Sequence, residues 1–252
     1  MKILITNDDG IFHPGIYALY DAVKSFGEIT VVAPHMERSA TSHSISLHDP
    51  ILLEEVSFYD QIGYSCTGTP VDCVKLAIHE LFDEKPDLIL SGINKGSNTS
   101  QNILYSGTVS AAVEGAFNGI PSMAISITSL NPDEFETGSK VTKSILSNLL
   151  ELHFNSNSVI NINIPPIKYE DIKGIRITRQ GKSRFEDFYK QNSQIQNAFH
   201  LDGELKIIRD KDKNDDHCVE DGYVSLTPLQ FKLTDEEEFN RLKNIESSFN
   251  NL

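Results

Sequence analysis

Asp8 and Asp9 stand side by side after a short aliphatic run, Ile3-Leu4-Ile5-Thr6, and before Gly10. Two adjacent carboxylates at the tip of a buried strand repel each other, and a cation between them relieves the repulsion. Hard cations such as Mg²⁺ or Mn²⁺ take oxygen ligands, usually one or two carboxylates plus neutral oxygens and water. The bland alternative is an Asx-turn or helix cap that uses only one of the pair. The place directly after a strand favours the metal. Two further segments offer neutral oxygens: Ser39 in Arg38-Ser39, and Asn94 in Ser91-Gly92-Ile93-Asn94-Lys95-Gly96-Ser97-Asn98. Each also reads as ordinary loop chemistry. A fourth segment, Tyr105-Ser106-Gly107-Thr108, leads into a helical pattern. Amides and dipole at a helix start favour a phosphate, although plain N-capping by Ser106 or Thr108 explains the segment equally well.

These segments need a scaffold that brings strand ends together. The first half alternates strand and helix patterns, the signature of a parallel sheet with crossover helices. Strands are expected at Ile3–Thr6, Ile29–Ala33, Asp87–Leu90, Ser122–Ile127 and Val159–Ile164. Helices are expected at Gly15–Phe26, Val71–Glu84, Val109–Asn118 and Lys140–His153. In such doubly wound sheets, ligands lie outside the carboxyl ends of the strands, where the acidic pair, the Ser39 loop and the Asn94 segment all fall.

Pro165-Pro166 ends that regime. Beyond it come short strand-like runs, Gly174–Thr178, Glu204–Ile208 and Tyr223–Leu226, which suggest β-hairpins projecting from the core. The tail regains helix: Thr234-x-x-Glu237 fits a capping box, and Phe239, Leu242, Ile245 and Phe249 share a face. The expected fold is therefore α/β, a Rossmann-like parallel core with helices on both faces, projecting hairpins and a C-terminal helical segment. Residues 1–166 form the core that carries the site, and 167–252 an oligomerisation region in the same domain or a small subdomain.

Composition narrows the partners. The chain has 252 residues, with 22 Lys+Arg against 36 Asp+Glu and a net charge of −14. Duplex nucleic acid and anionic membranes need clustered Lys/Arg, so neither is expected as a partner. No run approaches the roughly 20 apolar residues of a membrane span. Cys66, Cys73 and Cys218 are sparse, odd in number and form no CxxC, which points to a reducing compartment. The opening is apolar for only three residues before the carboxylates, unlike a signal peptide. A cytoplasmic location is the expectation.

Other motifs fail. Gly63–Gly68 has P-loop glycine spacing, but Thr69-Pro70 replaces the required Lys-Ser/Thr, and no GxGxxG follows the first strand. His13 and His43 read first as loop histidines.

In combination the segments resemble the SurE family, stationary-phase survival proteins that act as metal-dependent 5′/3′-nucleotidases. The resemblance rests on Ile3–Gly10, Ala33-Pro34 with Arg38-Ser39, Thr67–Val74, Ser91–Asn98 and Tyr105–Val109 with Ala111-Ala112-x-Glu114-Gly115. Asn161-x-Asn163-Ile164-Pro165 and Gly222–Pro228 complete it. It implies one divalent ion per subunit, Mg²⁺ or Mn²⁺, held by Asp8, Asp9, Ser39 and Asn94. It implies a phosphate near Asn98, Ser106, Gly107 and Thr108, and hydrolysis of nucleoside monophosphates to nucleoside and phosphate. Asp8 or Asp9 would also orient the attacking water. A homodimer or homotetramer joined through the C-terminal region is implied as well. Two departures stand out: Ala40 replaces a frequent glycine, and Asn214-Asp215 a frequent Thr-Asp. Two rival readings share the acidic pair. A covalent aspartyl-phosphate phosphatase wants Asp-x-Asp, which Asp8-Asp9 does not supply. A receiver-like signalling module could use Asp60 as phospho-acceptor but leaves residues beyond about 125 unexplained and makes no use of Ser91–Asn94 or Tyr105–Thr108.

Overall fold

The computed structural model describes residues 1–130, 135–149, 158–209 and 214–249. The chain opens with β1 (Lys2–Thr6), α1 (Pro14–Val23), β2 (Glu28–Pro34), the strand pair β3 (Leu53–Phe58) and β4 (Gln61–Cys66), and α2 (Pro70–Leu76). It continues with β5 (Leu88–Lys95), α3 (Gly107–Phe117), β6 (Ser122–Ile127), α4 (Glu136–Leu149) and β7 (Val159–Ile164). The last part holds β8 (Ile175–Ile177), β9 (Arg184–Gln191), β10 (Phe199–Lys206), α5 (Asp215–Glu220), β11 (Val224–Leu229) and α6 (Glu236–Lys243).

Nine strands make one sheet in the order β3-β4-β2-β1-β5-β6-β7-β11-β8. Its centre, from β2 through β1, β5 and β6 to β7, is parallel. Burial on both faces explains the high aliphatic content of these strands, continuous at Ile3–Ile5 in β1 and interrupted by buried Asn161 and Asn163 in β7. Ile3 and Ile5 turn to one core with α1 and α4, whereas Leu4 turns to another with α2 and Ala111 of α3. After β2 the chain returns across β1 to build β5, so the strand order reverses at the β1/β5 pair. That reversal is where a doubly wound sheet opens a crevice.

The helices start where local chemistry permits. Pro14 occupies the first turn of α1, and the His13 side chain accepts from the Gly15 N–H. Thr69 and Asp72 cap α2 reciprocally, with Pro70 at its first turn, a signal that the reading of Val71–Glu84 passed over. That helix is also shorter than expected, giving way to a π-helical turn at Ala77–Leu81.

Several expectations need correction. Of the three runs expected as projecting hairpins, β8 and β11 instead extend the main sheet, β11 antiparallel to β7 and β8 parallel to β11. The sheet therefore runs past residue 166. The projecting hairpin is β9–β10, paired strand to strand from Phe199↔Gln191 to Lys206↔Arg184. α6 is capped by Asp235, which accepts from Glu237 and Glu238 N–H, and not by Thr234. The expected end of the Lys140–His153 helix, residues 150–153, lies outside the described residues. Among those described, no helix is long and apolar enough to cross a membrane.

α1 lies so close to β5 that a Cβ on Gly15 would stand 2.0 Å from the Ile93 carbonyl oxygen. Glycine-to-alanine changes inside helices ordinarily stabilise by up to about 1 kcal/mol. Here the sign should reverse: Gly15→Ala should cost about 1–3 kcal/mol through overpacking, measured by denaturant unfolding.

Candidate active site

The acidic pair follows β1 in a turn that its own sequence closes. Asn7 Nδ2 donates to the Gly10 carbonyl (2.9 Å), and Gly10 N–H donates back to Asn7 Oδ1 (3.1 Å). Gly10 adopts φ 107°, a left-handed conformation that glycine accepts freely. With both ends of the turn tied, Asp8 and Asp9 are left buried at the crevice.

Asp8 meets the start of α3. The Thr108 hydroxyl donates to its Oδ1 at 2.5 Å. Gly107 is required by proximity, because a Cβ there would lie 2.8 Å from Asp8 Cβ and 2.9 Å from its Oδ2. Asp9 faces β5: Lys95 N–H lies 3.4 Å from its Oδ2, and Lys95 Nζ 3.8 Å from its Oδ1. Burial pushes both carboxyls up to about 6, against the partial relief supplied by Thr108 for Asp8 and Lys95 for Asp9. His13 Nδ1 is 3.5 Å from Asp9 Oδ2, but it already accepts from Gly15 N–H, and burial lowers its pKa. The ring is therefore neutral, with its proton on Nε2, and this contact is not an ion pair.

Asn94 is buried near the end of β5, and its amide nitrogen donates to the Gly96 carbonyl (3.0 Å). That commits the nitrogen and leaves Oδ1 as the atom able to accept from a donor or ligate a cation. Ser39 is placed differently. It lies in an exposed loop, and its hydroxyl donates to Glu37 Oε1 (2.6 Å). Glu37 pairs with Lys95 (3.3 Å), which approaches Asp9, so Ser39 is linked to the carboxylates through two intermediaries. Its neighbour is closer: Arg38 N–H donates to the Asp8 carbonyl at 2.7 Å. Ala40, one of the two departures from the resemblance, has φ 54°. A left-handed turn is required there, and alanine adopts it under strain.

The phosphate candidates divide. Ser106 caps α3, accepting from Val109 N–H (3.0 Å). Thr108 spends its hydroxyl hydrogen on Asp8, which makes it a positioning residue for that carboxylate. Asn98 is held inward: its N–H donates to Asn163 Oδ1 (2.9 Å), and its Nδ2 to Ser126 Oγ (2.8 Å). Its carbonyl accepts from Asn161 and Asn163. The two asparagines of β7 thus fix the Asn98 loop.

Sequence reasoning missed Glu37, Lys95 and Glu114. Glu114, buried on α3, accepts from His43 (3.0 Å), Lys75 (3.1 Å) and Asn118 (3.1 Å). A carboxylate inside the Ala-Ala-x-Glu-Gly helix pattern was the available signal, since an uncompensated buried charge is too costly to persist.

Fold and site together define a doubly wound α/β protein with paired acidic residues at its strand-order reversal. The profile of the family Survival protein SurE matches residues 3–187. The chain is 41% identical to "5′-nucleotidase SurE" of Alkaliphilus metalliredigens over 250 residues, covering 97% of this chain and 98% of that one. It is 43% identical to the protein of the same name from Christiangramia forsetii, with 92% of each chain covered. The crystal structure of the SurE protein from Aquifex aeolicus superposes with a TM-score of 0.85 at 38% identity, covering 98% of this chain and all of that one. The chain belongs to the SurE family.

Because the folded carboxyl pKa of Asp8 is raised to about 6, the native state binds more protons than the unfolded chain between roughly pH 4 and 6. The ionised group therefore costs stability above that window and nothing below it. In EDTA, Asp8→Asn should raise the stability of the metal-free protein at pH 8 by on the order of 3 kcal/mol. Thermal melts across pH should show that gain vanishing near pH 4.

Proposed function

We propose that this chain is a divalent-metal-dependent phosphomonoesterase that hydrolyses nucleoside 5′-monophosphates, and 3′-monophosphates as well, to nucleoside and phosphate. One observation carries the reading: two adjacent buried carboxylates, Asp8 and Asp9, at the β1/β5 reversal beside a helix start. The residues fit a hard cation. Among the described residues no group of three or more His, Cys, Asp or Glu side chains converges, so the donors on offer are two carboxylates and neutral oxygens. That set suits Mg²⁺ or Mn²⁺, one per subunit, and not a soft metal. Asp8, Asp9 and the Asn94 carboxamide oxygen would hold it, with Ser39 joining once its hydroxyl leaves Glu37. Bound there, the ion supplies Lewis-acid polarisation of the phosphoryl group and a water of lowered pKa.

The remaining work belongs to the chain. Thr108 orients Asp8, and Lys95 holds Asp9 while placing a positive charge at the mouth of the site. Ser106 and Gly107 put the amide end of α3 beside the carboxylates, where it favours an anion. The Asn98 loop closes the crevice, braced by Asn161 and Asn163.

The rivals lose support. Asp60 lies in the turn before β4, which runs parallel to β2, so it sits at the opposite edge of the sheet from Asp8. That disfavours a receiver-like reading. Asp8 and Asp9 turn to different partners, Thr108 and Lys95, as suits shared metal ligation better than a nucleophile and its acid.

Chelation by EDTA should abolish AMP hydrolysis, and Mn²⁺ or Mg²⁺ should restore it. Asp9→Asn should lose orders of magnitude in kcat/KM with its melting transition intact. Full turnover after chelation would refute the reading.

We also place assembly in the C-terminal region, as a homodimer or homotetramer. Among the described residues β9 and β10 pair only with each other, and lone hairpins are marginal in water. Phe239, Leu242, Ile245 and Phe249 are exposed along the tail. Truncation before Thr234 should shift the mass by light scattering toward monomer or aggregate; an unchanged mass would exclude tail-mediated assembly.

A further inference from the structure

A cavity of about 360 Å³ lies beside the site, on the same edge of the sheet. Ser97 after β5, Thr128 after β6 and Pro165 after β7 contribute to its walls, so it stands over the carboxyl ends of those strands. The acidic pair follows β1, two places from β6 in the sheet. At roughly 4.8 Å per strand, β6 stands about 10 Å from β1, so the near wall at Thr128 is within the span of one nucleoside monophosphate. The loop from Lys95, which touches Asp9, to Ser97, which lines the cavity, joins the two places directly.

The cavity is built rather than left over from packing. Ser100 N–H donates to Asp215 Oδ2 (3.0 Å), and Gly181 N–H to Asp215 Oδ1 (2.8 Å). Ser100 and Ser183 both donate their hydroxyls to Asp216. Two loops from distant parts of the chain are thereby locked as opposing walls. Ile167, Leu205, Ile207 and Val219 supply apolar surface for a flat ring. The charged side chains among the lining residues are Asp216 and Glu220, the latter paired with Arg209 at 3.4 Å. Asp216 gives the lining a carboxylate that accepts N–H donors. Asp216 retains capacity for them, because a carboxylate offers about four acceptor positions.

We propose that this cavity is the nucleoside subsite, taking the uncharged end of the substrate and favouring bases that carry an exocyclic amino group, with Asp216 as acceptor. The inference rests on the nucleotidase reading and gives it a substrate orientation: phosphate at Asp8 and Asp9, base between α5 and the 97–102 loop.

The test separates base recognition from phosphoryl chemistry. Ile167→Trp fills the cavity from a partly exposed position outside the catalytic machinery. It should raise KM for AMP at least about tenfold with little change in kcat, and leave p-nitrophenyl phosphate hydrolysis unaltered. Adenosine should competitively inhibit p-nitrophenyl phosphate hydrolysis by the wild type, and more weakly in the variant. Asp216→Asn should narrow the preference for AMP over UMP. An unmoved KM for AMP, parallel changes for both substrates, or no inhibition by adenosine would overturn the subsite. A wild-type protein that hydrolyses neither substrate would instead overturn the nucleotidase reading.

Discussion

The burial of two like charges side by side is the constraint on which the rest of the structure depends. Asp8 and Asp9 are each less than a tenth exposed, and burial is the largest cause that raises both carboxyls to about 6. A flexible loop would escape that cost by turning one side chain into water. This one cannot, because Asn7 ties the turn across to Gly10, and Arg38 N–H grips the Asp8 carbonyl. α3 approaches so closely that only glycine fits at position 107. The rigidity comes from the sheet, whose central strands are buried on both faces and leave β1 no freedom to shift.

The same economy appears in the loop from Arg38 to Pro50, which has no regular structure of its own. Its order comes from neighbours. Arg38 donates to the Thr67 carbonyl, Thr69 donates to the Ser44 carbonyl, and Ser46 N–H reaches Asp72. His43 reaches Glu114, which Lys75 and Asn118 also satisfy. Asp72 therefore serves twice, capping α2 and anchoring the loop that carries Ser39. Each of these contacts made by the loop itself joins residues more than twenty positions apart, so losing one frees a segment without unfolding an element.

That distinction explains what was legible in the sequence. Ser122–Ile127 and Val159–Ile164 are legible to the residue, because both are isoleucine-bearing runs bounded by turn residues, Pro121 before the first and Pro165-Pro166 after the second. The β3–β4 pair went unread: its turn uses Tyr59 at φ 52° instead of an Asn-Gly or Asp-Gly signal. β8 and β11 were seen as strand-like but misplaced, since a short run does not state which edge it will join. In the site, Asp8, Asp9 and Asn94 were legible from residue type and position after a strand. The inward commitment of Asn98 was not, because it depends on Asn161 and Asn163 more than sixty residues away. Nor was the Thr108 contact with Asp8, across a hundred positions.

Net charge adds the last constraint. A chain at −14 repels a nucleotide over most of its surface, so recognition must rest on local reversal of the field. The reversal has few sources in this site: the amide end of α3, Lys95 and, on the proposed reading, a cation at the carboxylates. Asp8 already takes up the Thr108 hydroxyl at the helix start, and Lys95 is shared between Asp9 and Glu37. Neither can balance two carboxylates and a phosphate together. The acidic pair must therefore be neutralised before an anionic substrate can approach it, and electrostatics favour cation first, nucleotide second. On that order, the two carboxylates that burden the metal-free fold are what make the site receptive to its substrate.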